Sequence, residues 1–379
     1  MKAQTFGPIP GSTILHGISG KKAIVMAANV RIATVAEGIF KAAKDTDSAV
    51  FMELARSESD LKGGYTGMTP QVFSEKMNAA AKAVGFDIWA LHADHITIKK
   101  GDAAEVDGTK QLIDAQVKAG YTSFAIDASH LFNFEGKTVR EELEENIRVT
   151  TDLARHIRQK MNGKEFGLEV EVGEIGRKDT EGLVLTRPEE AVGFIKALNE
   201  NDVHPHVLAI ANGSSHGHAY DANGNVIEQL SIDIPRTKEI AQALRDNHLH
   251  VGIAQHGITG TPRDLINLHF PKGDIIKGNV GTFWQDVAFG ILKIYEPALY
   301  QNITDWTLEK YRPTNPGKKD RQIFDGNCKM AIKEFYKEIY AVDEETNKAM
   351  QAMAYAESLV FFRAFGAYGT ASAIRKTLG

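Results

Sequence analysis

The stretch Phe86-Asp87-Ile88-Trp89-Ala90-Leu91-His92-Ala93-Asp94-His95 decides the fold of this chain, because it is an apolar run that closes on an acid and an imidazole. A buried strand that ends in this way delivers its last side chains to one edge of a sheet. A His beside an Asp also occurs at ordinary surface turns. The functional meaning of the stretch therefore depends on whether other strands end alike.

Short apolar runs of this kind alternate with longer amphipathic segments, which is the pattern of parallel strands joined by crossover helices. The predicted strands are AIVMAAN from Ala23, SAVFMEL from Ser48, FDIWALH from Phe86, TSFAID from Thr122, GLEVEV from Gly167, HVLAIA from His206, HVGIA from His250 and DIIKGN from Asp274. Eight βα units in about 275 residues fit an α/β chain folded as a TIM (β/α)8 barrel. A doubly wound sheet also alternates, and the pattern by itself does not exclude it.

After the eighth strand the pattern turns helical. A polar loop is predicted over residues 310–322, followed by helices over residues 328–340 and 344–365. We expect residues 1–298 to form the barrel and residues 299–379 to form a helical C-terminal extension, packed on the barrel or on a neighbouring subunit. The extension and the exposed barrel helices favour a homo-oligomer, a dimer or a tetramer.

Composition narrows the class of protein. The chain has 379 residues, 43% of them hydrophobic, so it can bury a large core. Its net charge of -5 gives no large basic field, which argues against a nucleic-acid binder and leaves small anionic substrates open. Cys328 is the only cysteine, which excludes an internal disulfide and a cysteine metal site and suits a reducing cytosol. Without a signal-peptide core or a run of about 18 apolar residues, we expect a cytoplasmic protein that does not enter a membrane.

Three imidazoles stand at equivalent ends of separate predicted strands: His95, His216 and His256. Active sites of (β/α)8 barrels lie at these C-terminal ends. Three His ligands with one open position form a typical catalytic Zn²⁺ site, and neutral imidazole suits Zn²⁺ better than Mg²⁺ or Ca²⁺. The sequence therefore predicts zinc or another divalent metal, although each His taken alone could equally cap or orient a neighbour.

The carboxylates at the strand ends predict proton transfer. Alternate side chains diverge along a strand, so we expect Asp94 to stay off the metal held by His95 and to act as the base. Glu169 and Glu171 point the same way on the fifth strand and need a cation, for which Lys99 and Arg177 are candidates.

Glycines and hydroxyls cluster at the last three strand ends. They are Gly217, Gly257, Gly260 and Gly281, with Thr259 and Thr282. Barrels often bind phosphate near strands seven and eight through accessible backbone N–H groups and hydroxyls. Tight βα turns would explain the same glycines without any ligand.

These motifs together resemble those of the class II, metal-dependent fructose-bisphosphate and tagatose-bisphosphate aldolases. The resemblance covers roughly residues 20 to 295. The matching segments are Ala90-Leu91-His92-Ala93-Asp94-His95, Ala125-Ile126-Asp127-Ala128-Ser129-His130, Leu168-Glu169-Val170-Glu171-Val172-Gly173, Ser215-His216-Gly217, His256-Gly257 and Lys277-Gly278-Asn279-Val280-Gly281-Thr282.

The resemblance implies retro-aldol cleavage of a ketose bisphosphate such as fructose 1,6-bisphosphate, in which zinc polarises the carbonyl and stabilises an enediolate, releasing dihydroxyacetone phosphate and an aldehyde. It implies zinc on His95, His216 and His256, with Asp94 abstracting the proton and Asp179 as the nearest match to a second acid. The residues implied near a second cation are Glu171 and Asp127, and those implied at the substrate are Asn29, Gly217, Gly257, Thr259, Asn279, Gly281 and Thr282.

The chain also departs from the family pattern. The Lys that helps bind the substrate phosphate shortly after the His-Gly pair is missing from His218-Ala219-Tyr220-Asp221, and Arg177, Lys178 or Arg263 are possible replacements. Ala55 stands where a serine is expected. Arg375 vaguely resembles a phosphate-binding Arg of the family's C-terminal segment.

Two alternatives follow from these departures. The first is a metal-dependent ketose or uronate epimerase, or an aldolase acting on a less phosphorylated sugar. The second is a non-catalytic companion subunit of a tagatose-bisphosphate aldolase, because Gly63-Gly64-Tyr65-Thr66-Gly67-Met68-Thr69-Pro70 is similar to a segment of that subunit.

Overall fold

Eight parallel strands form a closed barrel in the computed structural model, which describes residues 6–175, 183–215, 217–221 and 224–378. The barrel strands are β1 (Val25–Asn29), β2 (Val50–Ala55), β3 (Trp89–Thr97), β4 (Ser123–Asp127), β5 (Gly167–Glu171), β6 (Val207–Ala209), β9 (Gly252–Gln255) and β10 (Ile275–Val280). A two-stranded hairpin, β7 (Ala219–Tyr220) and β8 (Val226–Ile227), lies between β6 and β9 in the sequence. All eight predicted strands and the TIM barrel are confirmed, while the sequence did not predict the hairpin.

Helices surround the barrel and continue past it. The helices up to the last barrel strand are α1 (Gly11–Ile18), α2 (Ala36–Asp45), α3 (Pro70–Val84), α4 (Ala103–Lys118), α5 (Val139–Met161), α6 (Pro188–Glu200), α7 (Ile234–Asp246) and α8 (Arg263–His269). Those that follow are α9 (Thr282–Tyr295), α10 (Pro297–Tyr311), α11 (Asp320–Asn327), α12 (Ala331–Glu334), α13 (Tyr336–Tyr340), α14 (Glu344–Ala364) and α15 (Thr370–Leu378). Short 3₁₀ helices cover Ala33–Val35, Ser129–Leu131 and Cys328–Met330.

Local sequence explains where the crossover helices begin and end. Helix α3 starts after Thr69, whose hydroxyl accepts a hydrogen bond from Val72 N at 3.4 Å, and Pro70 occupies its first position. It stops at Gly85, which adopts φ 71°, a conformation that glycine reaches at no steric cost. Such caps set the length of a crossover and so place the next strand against its neighbour.

Helix α1 closes the N-terminal end of the barrel. Ile9 N donates to Trp89 O at 2.8 Å, and Gly11 N donates to Thr122 O at 3.0 Å, so the segment is fixed where β3 and β4 begin. With α1 at this end, the cavity of the barrel opens toward the C-terminal ends of the strands.

The C-terminal extension is helical, as predicted, but differs in detail. The region between α10 and α11 is shorter than the predicted loop, and the single helix predicted over residues 328–340 is broken into a 3₁₀ turn, α12 and α13. Helix α14 packs on α2, α8 and α9. The residues after it bind the base of the barrel, where Ile24 N donates to Phe365 O at 2.9 Å and Ala371 N to Asp47 O at 2.8 Å. The division of the chain at residue 298 stays a prediction.

Among the described helices, none combines the length and the apolarity that crossing a membrane requires.

Candidate active site

The strand ends converge on one cavity of 780 Å³ at the mouth of the barrel. It is lined by twelve of the predicted site residues, namely Asn29, Asp94, His95, Asp127, Glu171, Gly217, His256, Gly257, Thr259, Asn279, Gly281 and Thr282, but not by Gly260. Two predicted residues, His216 and Asp179, lie outside the described residues. The cavity is therefore the candidate active site.

An irregularity in β3 brings Asp94 and His95 to the same place. The register of β3 against β4 shifts between Ala93 and Ile96, and His95 adopts a positive φ of 38°. The expectation that Asp94 and His95 must diverge rests on a regular pleat, and here it is wrong, because the bulge turns both side chains toward the mouth. A non-glycine residue at positive φ stores strain that the surrounding contacts must hold.

Two imidazoles and a carboxylate form a compact donor group. Ligand atoms of Asp94, His95 and His256 all lie within 4.8 Å of one another, and the two rings meet edge to face with centroids 4.4 Å apart. His256 Nε2 lies 3.0 Å from Glu169 Oε1, the kind of contact that fixes the orientation of a metal-binding His. Burial and the neighbouring His95 lower the pKa of His256, which favours the neutral ring that metals bind.

A second donor group adjoins the first. His95, Asp127 and Glu171 also offer ligand atoms within 4.8 Å, with His95 Nδ1 3.2 Å from Glu171 Oε2. Burial, and then the charge of Asp127, raise the pKa of Glu171 to about 8. Crowded buried carboxylates of this kind are stabilised by a cation. The nitrogen and oxygen donors of the two groups therefore fit a borderline divalent ion such as Zn²⁺.

Two amides clamp Asp94 from opposite sides. Asn29 Nδ2 donates to Asp94 Oδ2 at 2.9 Å, and Asn279 Nδ2 donates to Asp94 Oδ1 at 3.0 Å. Burial by itself raises the pKa of Asp94, but His95 and Lys277 outweigh it and lower the value to about 2. Asp94 is therefore an ionised, oriented carboxylate in the cavity. Both asparagines, predicted to contact substrate, are directly engaged in holding it.

A buried ionic layer lies beneath these residues. Lys277 Nζ lies 2.9 Å from Glu169 Oε2 and 3.2 Å from Glu53 Oε2, and all three side chains are at most 3% exposed. Burial lowers the pKa of Lys277, but the two carboxylates outweigh this effect and raise it. Burial raises the pKa of Glu169, but Lys277 and His256 outweigh this effect and lower it. His92 is buried in the same layer with its Nε2 3.7 Å from Glu169, and burial lowers its pKa to about 3. The cation beside Glu169 is Lys277 and not the predicted Lys99, while Arg177, the other predicted candidate, lies outside the described residues.

The interpretation of the sequence missed Glu53 and Lys277. Each interrupts an apolar strand, Glu53 in VFMELA and Lys277 in IIKGNV. A charged residue inside a buried strand requires a partner of opposite charge. The charged residues inside these two apolar strands could therefore have indicated a buried ion pair. The sequence does not say which strand supplies the residue of opposite charge.

The glycine rim, defined as Gly217, Gly257, Thr259, Gly281 and Thr282, lines the other side of the cavity. Gly257 has φ 66°, and a Cβ there would lie 2.5 Å from the backbone oxygen of Ser215, so no larger residue fits without movement. Helix α9 begins at Thr282 without a side-chain cap from Gly281, and in its first turn Phe283 N donates to Thr259 Oγ1 at 3.2 Å. The positive end of the helix dipole favours an anionic ligand beside this turn.

The proposed replacements for the missing phosphate Lys lie elsewhere. Arg263 stacks over the rings of Phe283 and Phe361, with its guanidinium carbon 4.5 Å and 4.1 Å from the two centroids, and does not line the cavity. Arg177 and Lys178 lie outside the described residues.

Arg375 lies at the opposite end of the barrel. It pairs with Asp47 at 2.9 Å and Asp87 at 2.6 Å, just before β2 and β3. Its position there does not suit contact with a substrate in the cavity.

Comparisons with known proteins show the family of this chain. A family model described as fructose-bisphosphate aldolase class-II matches residues 11–348. The fructose-bisphosphate aldolase of Helicobacter pylori (strain J99 / ATCC 700824) is 26% identical over 323 residues, which cover 82% of this chain and 89% of that protein. A shorter stretch of 93 residues, 23% of this chain and 22% of the relative, is 33% identical to the D-tagatose-1,6-bisphosphate aldolase subunit GatZ of Escherichia coli (strain SMS-3-5 / SECEC).

The crystal structure of fructose-bisphosphate aldolase from Campylobacter jejuni shares the fold. It superposes with a TM-score of 0.62 at 17% identity, over 96% of this chain and 97% of that chain. The match of the family model over most of the sequence, together with the converging strand ends, assigns the chain. It belongs to the class II fructose-bisphosphate aldolase family, whose members are carbon–carbon lyases.

Proposed function

We propose that this chain is a metal-dependent aldolase that cleaves and forms a ketose phosphate such as fructose 1,6-bisphosphate, giving dihydroxyacetone phosphate and an aldehyde. One observation carries the proposal. Asp94 is clamped by two amides beside the imidazoles of His95 and His256, in a cavity of 780 Å³. An ionised, immobilised carboxylate next to metal-type donors suits proton removal from a sugar hydroxyl.

The proposed metal site consists of His95 and His256, completed by His216. Glu171 and Asp127 provide a second or alternative cation position beside His95. When bound, a divalent metal, with zinc as the first candidate, would polarise the ketone carbonyl and stabilise negative charge on its oxygen. The residues of the chain then have three tasks, which are to orient the donors, to move the proton and to hold the phosphate.

Asp94 carries the proton in this proposal. It accepts the proton of the C4 hydroxyl as the C3–C4 bond breaks, so that C4 becomes the aldehyde carbon and the electron pair remains on the three-carbon fragment as an enediolate. Protonation of C3 then yields dihydroxyacetone phosphate, with Asp179 proposed as the second acid. Because the pKa of Asp94 is about 2, its carboxylate is ionised at neutral pH.

The glycine rim is proposed to hold the phosphate of the ketose. Its backbone N–H groups, the hydroxyls of Thr259 and Thr282 and the start of α9 together offer donors to an anion. The rim stands in for the phosphate Lys that this chain lacks, and a phosphate bound there would bring the carbonyl of the substrate toward His95 and His256.

A product screen with the purified, zinc-loaded chain tests the proposal. We expect cleavage of fructose 1,6-bisphosphate, which a coupled assay for dihydroxyacetone phosphate measures. Inversion of a ketose or uronate without cleavage would favour the epimerase. Cleavage of free ketoses only would favour the aldolase of less phosphorylated sugars. If the purified chain does not bind a stoichiometric amount of metal and turns over none of the sugars, the companion subunit would be favoured.

A further inference from the structure

The glycine-rich segment, residues 63–70, connects β2 to α3 and folds back against Glu58. The buried Thr66 donates from its Oγ1 to Glu58 O at 2.6 Å. Gly64 adopts φ 51°, and a Cβ there would lie 2.5 Å from the backbone of Glu58. Glycine at this position therefore allows the segment to lie directly against the residue that it encloses.

The carboxylate of Glu58 is surrounded by donors and is only 3% exposed. Its Oε1 accepts from Arg31 Nε and from the hydroxyl of Tyr65, both at 2.7 Å. Its Oε2 accepts from Ala55 N at 2.8 Å and from Asn29 Nδ2 at 3.2 Å. Burial raises the pKa of Glu58, but Arg31 and Ala55 N outweigh this effect and lower it. Both oxygens of this ionised side chain are therefore engaged as acceptors.

The amide of Asn29 is shared between two carboxylates. Its Nδ2 donates to Glu58 Oε2 at 3.2 Å and to Asp94 Oδ2 at 2.9 Å. An asparagine side chain carries donors on one arm and an acceptor on the other, and a half-turn of the amide exchanges them. Because the exchange would turn an oxygen toward two negative charges, Glu58 holds Asn29 in the one orientation that clamps Asp94.

The opposite clamp is built in the same way. Asn279 Nδ2 donates to Glu53 Oε1 at 2.9 Å as well as to Asp94 Oδ1 at 3.0 Å. Each clamping amide is thus oriented by a further carboxylate. Glu53 belongs to the ionic layer inside the barrel, whereas Glu58 lines the cavity and is held by a loop. Glu58 can therefore be changed with less disturbance of the barrel core.

We propose that Glu58 is a positioning residue for Asp94, that it acts through Asn29, and that the glycine-rich segment holds it in place. This inference rests on the proposed function and deepens it, since Asp94 is the base of the proposed cleavage. Without Glu58, Asn29 can rotate and Asp94 loses one of its two clamps. The carboxylate then spends less time in the geometry that accepts the proton, so the loss falls on the chemical step and not on substrate binding.

The Glu58→Gln variant tests the proposal, with Glu75→Gln as its control. Either orientation of the new amide turns an NH2 group toward donors, which are Arg31 and Tyr65 on one side and Asn29 on the other. We expect kcat for fructose 1,6-bisphosphate to fall by about 10- to 100-fold, with KM within about twofold of wild type. Glu75→Gln removes the same charge from an exposed residue of α3 outside the cavity and should change neither value.

A double-mutant cycle separates positioning from an independent role. In the Asp94→Asn background, Glu58→Gln should cause no further loss of kcat, because the base that Glu58 positions is absent. Tyr65→Phe removes one donor from Glu58 and should lower kcat by about 2- to 10-fold in the wild-type background only. Equal losses of kcat in the two backgrounds, a rise in KM with unchanged kcat, or full activity of Glu58→Gln would overturn the proposal. If circular dichroism shows that Glu58→Gln is unfolded, the same cycle with Tyr65→Phe decides.

If the wild type cleaves no sugar, the proposed function fails, and Tm replaces kcat in the same cycle. Glu58→Gln should then lower Tm by less in the Asp94→Asn background than in wild type. The new amide at position 94 can turn its own NH2 group toward a rotated Asn29, whereas the carboxylate cannot. Equal losses of Tm in the two backgrounds would show that Glu58 does not act on Asp94.

Discussion

Asn279 donates a hydrogen bond of 3.0 Å from its Nδ2 to Oδ1 of Asp94, and its own Oδ1 accepts one of 3.0 Å from Lys277 Nζ. The candidate base is thus connected through a single amide to the ionic layer inside the barrel. Since Asn29 holds the other carboxylate oxygen, Asp94 has little freedom to rotate. The position of the base is set by β1 and β10, not by its own strand alone.

Replacing Asp94 by Asn should remove the base without changing the shape of the site. We expect kcat to fall by about 10²- to 10⁴-fold, the usual contribution of a general base. Zinc content should stay near that of wild type, and Tm should fall slightly, because the single amide oxygen can accept only one of the two clamping hydrogen bonds. Steady-state kinetics with metal analysis measure this. Full activity in Asp94→Asn would show that another group moves the proton.

Replacing His256 by Ala should weaken metal binding. His256 contributes a ligand atom within 4.8 Å of those of Asp94 and His95 and is oriented by Glu169. We expect loss of most bound zinc and of cleavage activity, and treatment of wild type with a chelator should give a similar loss that added zinc reverses. Unchanged metal content and activity in His256→Ala would exclude this residue as a ligand. His204→Ala, an exposed His on the barrel surface, is the control.

Replacing Lys277 by Met should destabilise the whole chain. The substitution leaves Glu53 and Glu169 buried without their cation, and breaking a buried ion pair in this way costs about 3–5 kcal/mol in the free energy of unfolding. The exposed Lys337→Met should change that free energy by no more than about 0.5 kcal/mol. Urea unfolding of both variants measures the difference. Equal stability of the two would mean that the ionic layer contributes little.

The stability of the fold should fall in mild acid because of His206. This side chain accepts a hydrogen bond from Leu168 N at 3.2 Å and touches the ring of His16, and burial followed by His16 lowers its pKa to about 4. The folded pKa lies below the unfolded value of about 6.5, so protonation favours the unfolded chain. The stabilisation is present above pH 6.5 and is lost as the pH falls toward 4.

For this group we expect a loss of about 1–2 kcal/mol in unfolding free energy between pH 7 and pH 5. In His206→Gln the amide oxygen can still accept from Leu168 N, but the side chain does not titrate. The unfolding free energy of this variant should therefore fall by about 1–2 kcal/mol less than that of wild type between pH 7 and pH 5. Urea unfolding at the two pH values gives the comparison. If His206→Gln and wild type lose the same amount, the acid sensitivity lies in other groups.

The strands could be predicted because each is a short apolar run bounded by polar or glycine residues, and eight such runs admit few architectures. The convergence of His95, His256 and Asp94 at one mouth followed from that count. The sequence did not predict the bulge in β3, because the alternation rule assumes a regular pleat. Helix α1 was missed as well, since it spans only eight residues and contains two glycines.

Other parts of the site depend on contacts between residues far apart in the chain. The pairing of Lys277 with Glu53 and Glu169 requires three strands to be adjacent inside the barrel. The presence of Lys329 in the cavity depends on how the C-terminal extension folds back. Periodicity and motif spacing describe neighbours in sequence, so neither could have predicted these contacts.

The C-terminal extension reaches both ends of the barrel. Its residues Asp325, Gly326 and Lys329 line the mouth, while its last helix is bound to the base beside β2. Strand β1 must also wait for β10, about 250 residues later, before the barrel can close. A nascent chain that has just completed its eighth strand therefore still lacks one wall of its cavity. The cavity is therefore complete only once the C-terminal extension has folded back onto both ends of the barrel.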